Sequence, residues 1–127
     1  MEVRPDIAPG LGAGPVWMIT ISAGEWIGPD FLAKTIWIVD DAVQDQVRIT
    51  GQRLNGDDVA LFQGYREYTG DSVSPDGREI ILGATHGRST DRRGYVIYPT
   101  AGCWRFTAES GGQVIAEITQ YLYDVAP

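Results

Sequence analysis

The sequence predicts an all-β protein, an immunoglobulin-like antiparallel β-sandwich of about seven to nine strands. Three observations lead there. Residues 99–119 (PTAGCWRFTAESGGQVIAEIT) read as two alternating strands around a glycine turn. Trp104, Phe106 and Ala108 share one face of that hairpin; Cys103, Arg105, Thr107 and Glu109 share the other. Sixteen glycines and seven prolines in 127 residues punctuate the chain as short strands require, and no apolar stripe recurs at helical spacing. Trp37 falls in an early central strand, and the Cys103–Trp104 strand precedes the closing hairpin, as large side chains do in immunoglobulin-like sandwiches. The paired cysteines of antibody domains are absent, so that likeness is architectural.

The elements follow in chain order. Residues 1–14, rich in Pro, Gly and Ala, form an extended N-terminal arm; residues 15–127 form one sandwich domain. Residues 16–21 (VWMITI) are a first strand. Residues 24–33 are a loop around Gly28, Pro29 and Asp30, with Trp26 and Phe31 capping one end of the core. Residues 34–39 (KTIWIV) are a continuous apolar run, which suits a central strand covered on both faces. Residues 40–45 then make a hairpin loop to residues 46–52, where Val47, Ile49 and Gly51 alternate with Arg48, Thr50 and Gln52. Asn55-Gly56 tolerates positive φ and marks a turn. Short strands follow at residues 59–62 and 79–82, separated by an irregular stretch over 64–77. Residues 83–94 read as a polar, Arg-rich loop, and residues 95–98 as a strand.

The closing hairpin carries a register argument. A three-residue loop over residues 110–112 sets Trp104 against Ile118, Phe106 against Ala116, Ala108 against Val114 and Arg105 against Glu117. A two-residue loop would set Phe106 against Glu117 and break the apolar pattern, so the three-residue loop is expected. The last strand, residues 113–123, then outruns its partner. Its far end is left to pair with the N-terminal arm or another chain.

Composition excludes several roles. A net charge of −7 is the wrong sign for a nucleic-acid footprint or for docking on an anionic membrane. No run of apolar residues is long enough to span a bilayer. Cys103 is the only cysteine, so no intrachain disulfide forms, and the single histidine, His86, has no visible link to it. Residues 1–6 (MEVRPD) lack the apolar centre of a signal peptide.

Four blocks resemble a known set of proteins. Residues 34–40 (KTIWIVD), followed by 47–56 (VRITGQRLNG), resemble a pattern of small exported proteins from Chloroflexi-like and actinobacterial bacteria. Residues 98–107 (YPTAGCWRFT) resemble the G-C-W block that ends those proteins, and residues 12–16 (GAGPV) are similar to their opening. The resemblance implies a secreted or lipid-anchored envelope component with a β-sandwich domain, its leader absent from this chain. It carries over no catalytic residue and no cofactor.

Three candidate sites stand out. The acidic turns with Asp40, Asp41 and Asp45, and with Asn55, Asp57 and Asp58, could converge on calcium from one end of a sandwich, although no Asp-x-Asp-x-Asp-Gly array exists and solvated turns explain them better, so no metal is expected. His86, Arg88, Arg92 and Arg93 form the one basic cluster, a grip for a carboxylate, phosphate or acidic sugar. Trp26, Tyr65 and Tyr68 are an aromatic set suited to carbohydrate, and Tyr121 and Tyr123 alternate outward on the last strand. The expected function is a non-catalytic extracytoplasmic module that binds a protein or glycan at the cell surface. The alternatives are a carbohydrate-binding module, or a subunit that self-associates through the N-terminal arm or the last strand.

Overall fold

The computed structural model describes residues 12, 14–20, 25–27, 30–65, 70–84 and 91–122. Most of the N-terminal arm, Tyr68, Tyr123, and the loop with His86 and Arg88 lie outside the described residues. Among those described, ten strands form two antiparallel sheets of five, and there is no helix. The first sheet holds β1 (Val16–Thr20), β2 (Glu25–Ile27), β3 (Asp30–Val39), β8 (Asp91–Tyr98) and β5 (Leu61–Gln63). The second runs β10 (Gln113–Leu122), β9 (Gly102–Ser110), β4 (Val47–Arg53), β7 (Glu79–Leu82) and β6 (Ser72–Val73).

The connectivity is immunoglobulin-like at its centre. β3 pairs with β8 in one sheet, β4 pairs with β9 in the other, and β9 continues through a hairpin into β10. Both β3→β4 and β8→β9 cross between sheets, as strands B→C and E→F do in that architecture. One departure is clear. The strand beside β8, β5, precedes the strand beside β4, β7, whereas an immunoglobulin variable domain takes them in the opposite order.

Residues 40–45 are therefore not a hairpin loop. They carry the chain from one sheet to the other, held by the Asp40 side chain accepting from the Ala42 N–H at 2.9 Å and by the Val43 N–H donating to the Asp40 carbonyl at 2.9 Å. Two strands fall in stretches expected to be loop, β2 and β6. β8 starts four residues before the strand expected at 95–98, because Asp91–Tyr98 alternates with Arg92, Gly94, Val96 and Tyr98 inward. β3 is central, between β1 and β8, but only half covered: Lys34 is exposed and Ile36 is half-buried.

The closing hairpin corrects the register in an instructive way. Its turn is the two-residue one, Gly111-Gly112, with φ of 59° and 78°. Positive φ at both central positions is the geometry that matches strand twist, and glycine adopts it without a Cβ clash. The objection to a two-residue turn is met by a bulge. Gln113 pairs with Ser110 and Val114 with Glu109, but Ala116 then pairs with Ala108, leaving Ile115 as the extra residue. Phe106 thus faces Ile118, Trp104 faces Gln120, and Glu117 faces Thr107. Apart from Val114, the faces are those expected, and the partners slide by two residues. Val114, expected inside, is 52% exposed. β10 does not outrun β9, since Leu122 pairs with Gly102.

Aromatic rings from both sheets fill the interior. Phe106 of β9 meets Trp37 of β3 at a centroid distance of 5.4 Å, Tyr98 of β8 at 6.0 Å and Phe62 of β5 at 6.4 Å. All three are tilted or edge-on, the arrangement the ring quadrupoles favour. Space for Phe106 comes from Gly51, its partner on β4. A Cβ there would lie 2.6 Å from the ring and 2.9 Å from Ala60. The buried polar tips are satisfied. The Trp37 indole N–H donates to the Tyr65 hydroxyl at 2.9 Å, the Trp104 indole N–H donates to the Thr100 carbonyl at 3.1 Å, and the Tyr98 hydroxyl donates to Gln120.

Two outcomes test this interior. Phe106→Ala should destabilise by about 3–5 kcal/mol in urea unfolding, while Val114→Ser should stay within about 0.5 kcal/mol. The second test uses pH. Burial raises the phenols of Tyr65 and Tyr98 above the ordinary 10.0, the Trp37 hydrogen bond opposing the rise at Tyr65 and the Asp71 charge adding to it. The folded state keeps protons that the unfolded state loses. Stability is thus fully present below about pH 10 and falls above it, by about 1.4 kcal/mol per pH unit for each tyrosine, until the folded-state values are reached. Denaturant titrations across the alkaline range would measure the slope.

Candidate functional site

Outward side chains of β4, β9 and β10 build the polar face of the second sheet. Successive residues on a strand point to opposite sides, so the residues between the buried ones line this face together. Pairing sets them in rows: Gln52, Arg105 and Thr119 in one, Thr50, Thr107 and Glu117 in the next, Arg48 and Glu109 beyond. Between the first two rows opens a groove of about 320 Å³ lined by Thr50, Gln52, Arg53, Leu54, Arg105, Thr107 and Glu117. A second hollow of about 250 Å³ lies at the other end of β4, among Gln46, Arg48, Glu109 and the Gly111-Gly112 turn.

Two arginines border the groove: Arg105 projects from the polar face, and Arg53, on the inward parity of β4 opposite Trp104, borders it at the end of the strand. Arg105 Nε lies 3.9 Å from Glu117 Oε2, a diagonal contact across the ladder with both side chains about half exposed. Arg53 NH1 lies 4.0 Å from Asp58 Oδ2, and that same oxygen accepts from Thr100 Oγ1 at 3.0 Å. Its Nε sits over Gly102, 3.0 Å from where a Cβ would stand. Contacts this long and this exposed are worth roughly 0–1 kcal/mol. Each arginine has five N–H donors, and one loose carboxylate contact leaves most of them for a ligand. Thr50 and Thr107 hydroxyls and the Gln52 amide add neutral donors and acceptors, and Leu54, 41% exposed, is the apolar wall.

Among the described residues, those expected to form sites do not come together. Tyr65 is buried, its hydroxyl accepts the Trp37 indole N–H, and its ring fills the space left by Gly94, where a Cβ would be 2.5 Å away. It is a core residue and offers no platform to a sugar. Trp26 lies on β2, but its side chain is not among those described, and Tyr68 lies outside the described residues. Of the basic cluster, Arg92 and Arg93 are described, and they part. Arg92 and Arg93 point to opposite sides of β8, Arg93 exposed and Arg92 buried. Arg92 pairs with Asp71, whose Oδ1 also accepts from the Gly83 N–H at 3.0 Å. His86 and Arg88 lie outside the described residues.

The acidic turns do not meet either. Asp45 precedes β4 and Asn55 follows it, so seven residues of extended chain, about 23 Å, separate them. Among the described residues no three His, Cys, Asp or Glu side chains gather to hold a metal ion, and no helix is long and apolar enough to cross a membrane. Tyr121, expected outward, is 50% exposed. It pairs across the ladder with half-buried Cys103.

The groove residues are the polar half of an alternation that the sequence displays plainly. What hid them was the pairing: β4 beside β9 brings Thr50 to Thr107 and Gln52 to Arg105, and nothing local announces that neighbour.

No family model matches the chain, and no curated protein matches it. Among solved structures, it is similar to the crystal structure of a DUF4466 family protein from Parabacteroides merdae, at 12% identity and a TM-score of 0.42. The similarity covers 85% of this chain and 43% of that one, so the chain spans less than half the length of that protein.

The buried ion pair yields a measurable outcome. Asp71→Asn keeps an oxygen for the Gly83 N–H but removes the carboxylate charge that pairs with the buried Arg92 guanidinium. It should cost about 3–5 kcal/mol, and adding Arg92→Met should recover most of that loss. Urea unfolding of the two variants against the parent gives both numbers.

Proposed function

We propose that the protein is a non-catalytic, extracytoplasmic binding module that recognises a carboxylate-bearing protein or glycan at the cell surface through the groove on its second sheet. One observation carries this reading. Arg53 and Arg105 line a single open groove, each held by one exposed carboxylate contact near 4 Å, beside hydroxyls from two adjacent strands. Guanidinium groups in that state suit an incoming carboxylate, which accepts two parallel N–H bonds. The groove volume falls near the lower end of ligand pockets. The overall charge of −7 opposes anionic partners in general, so selectivity rests on the local pair of arginines.

The extracytoplasmic location is supported by the resemblance of residues 34–40, 47–56 and 98–107 to small exported bacterial proteins. A carbohydrate role resting on Trp26, Tyr65 and Tyr68 loses its centre with Tyr65 in the core. A glycan role is therefore carried by the arginines and threonines.

Binding to immobilised polysaccharides that carry uronic acids, and to surface proteins extracted from bacterial envelopes, is the test. Wild-type protein should be retained on a carboxylate-bearing ligand, and Arg53→Ala with Arg105→Ala should lower that retention at least about tenfold, the equivalent of ~1.4 kcal/mol, with unchanged unfolding midpoints. Retention unaffected by the double substitution would place recognition elsewhere and end this reading.

A further inference from the structure

Resting on the carboxylate role proposed above, we infer that the groove selects an acidic glycan that also carries a protonated amine, with the ligand's carboxylate set against Arg105 and its ammonium against Glu117. The groove is not simply cationic. Arg105 Nε stands 3.9 Å from Glu117 Oε2, and Arg53 at the rim stands 4.0 Å from Asp58 Oδ2. Further along the same face, Arg48 lies 3.5 Å from Glu79 and directly across the ladder from Glu109. Arg48, Arg53 and Arg105 thus stand among Asp58, Glu79, Glu109 and Glu117, in a chain of net charge −7. A ligand carrying carboxylates alone meets a field of its own sign on approach. Its contact with Arg105 is opposed by Glu117, which lies well within a Debye length. An ammonium on the same ligand turns that repulsion into attraction.

The ladder puts these opposite charges on neighbouring rows. Arg105 pairs with Gln52 and Thr119; two residues on, Thr107 pairs with Thr50 and Glu117. Those rows are about 6.6 Å apart along the strands, and Glu117 is one strand over, about 4.8 Å. Charges on adjoining rings of a glycan reach adjoining rows. A carboxylate has about four acceptor positions, and the long contact with Arg105 leaves most of them for the three donors of an ammonium. Both side chains are about half exposed, so each meets a ligand without leaving the core.

The groups between the charges favour a sugar over a protein surface. The Thr50 and Thr107 hydroxyls and the Gln52 amide each donate and accept, which matches a ring of hydroxyls. Among the described residues that line the groove, Leu54 is the large apolar one and none is aromatic. Protein interfaces, by contrast, centre on buried aromatic anchors. The hollow at the other end of β4 has a different balance. There Arg48 has a glutamate on each neighbouring strand, Glu79 and Glu109, and the single cation is outnumbered.

Calorimetric titration with two probes tests this. Both are tetrasaccharides of alternating uronic acid and hexosamine; one has the hexosamine nitrogen free, the other has it acetylated. At about pH 6.5 a free amine is charged, and the acetylated nitrogen is neutral. Wild-type protein should bind the free-amine form about threefold more tightly, the scale of an exposed ion pair. The preference should shrink in about 0.5 M salt. Glu117→Gln should erase it, weakening the free-amine form and leaving the acetylated form bound as well or better, since Arg105 is released. Arg48→Ala should leave both affinities unchanged. Equal affinity of wild type for the two forms overturns the inference and leaves the carboxylate reading standing, as does a preference that survives Glu117→Gln. If neither form binds while a peptide with Glu and Lys side chains does, in an Arg105-dependent manner, the partner is a protein and the glycan is overturned. If no carboxylate ligand binds through Arg105, both readings end. Because the first comparison sets two probes against one protein, misfolding of a variant cannot decide it.

Discussion

Phe106 is the point at which the two sheets are interlocked. It meets three rings of the first sheet, on three different strands. Trp37 and Phe106 lie on β3 and β9, the strands that an antibody domain joins with its inter-sheet disulfide. Here an edge-on aromatic pair takes that place. Such a pair contributes about 0.5–1.5 kcal/mol beyond its buried area, against about 2–5 kcal/mol for a native disulfide in a small domain. The remainder must come from the surrounding rings. The corner before β9 follows the same logic: Trp104, two residues ahead of Phe106, donates back to the Thr100 carbonyl, where antibody domains use a tyrosine hydroxyl. With Cys103 alone among the cysteines, none of this interlock depends on the redox state of the surroundings.

Close packing around these rings dictates the small residues and the buried polar ones. Gly51 and Gly94 are where Phe106 and Tyr65 need room on a neighbouring strand. Tyr65, anchored to Trp37, ties the segment after β5 to the core, and Asp71 ties the segment before β6 to Arg92 and to the backbone after β7. An ion pair so deeply buried is weak evidence of net stability, since both charges leave water. Its firmer role is positional. It fixes the one excursion that departs from the immunoglobulin order, the path from β5 through β6 to β7.

A core this well braced also fixes the opposite face. Side chains projecting from β4, β9 and β10 are held by a continuous ladder, so the spacing between Gln52, Arg105 and the threonines is set by backbone pairing rather than by loops. A ligand meeting them loses little to ordering the protein.

By itself, the sequence determined the all-β class and the inward sides of β4 and β9. Trp104, Phe106 and Ala108 against Arg105, Thr107 and Glu109 is a pattern of period two, and the steric alternation of an extended chain is local. Turns near Asn55-Gly56 and at the closing glycines were legible from residue type, but Asn55 and Gly56 turn without positive φ, and the closing turn is one residue shorter than expected. Only the tertiary structure decided which strands are neighbours. It sent residues 40–45 across the sandwich, moved the closing hairpin by two residues through the Ile115 bulge, and put Arg92 inside while Arg93 stayed out. It also set β4 beside β9, and with that pairing assembled the groove from polar residues that looked, one strand at a time, like ordinary solvent-facing positions. The physical reason is range: the faces of a strand follow from sterics between adjacent residues, whereas strand neighbours and register follow from the joint packing of rings separated by many tens of positions along the chain.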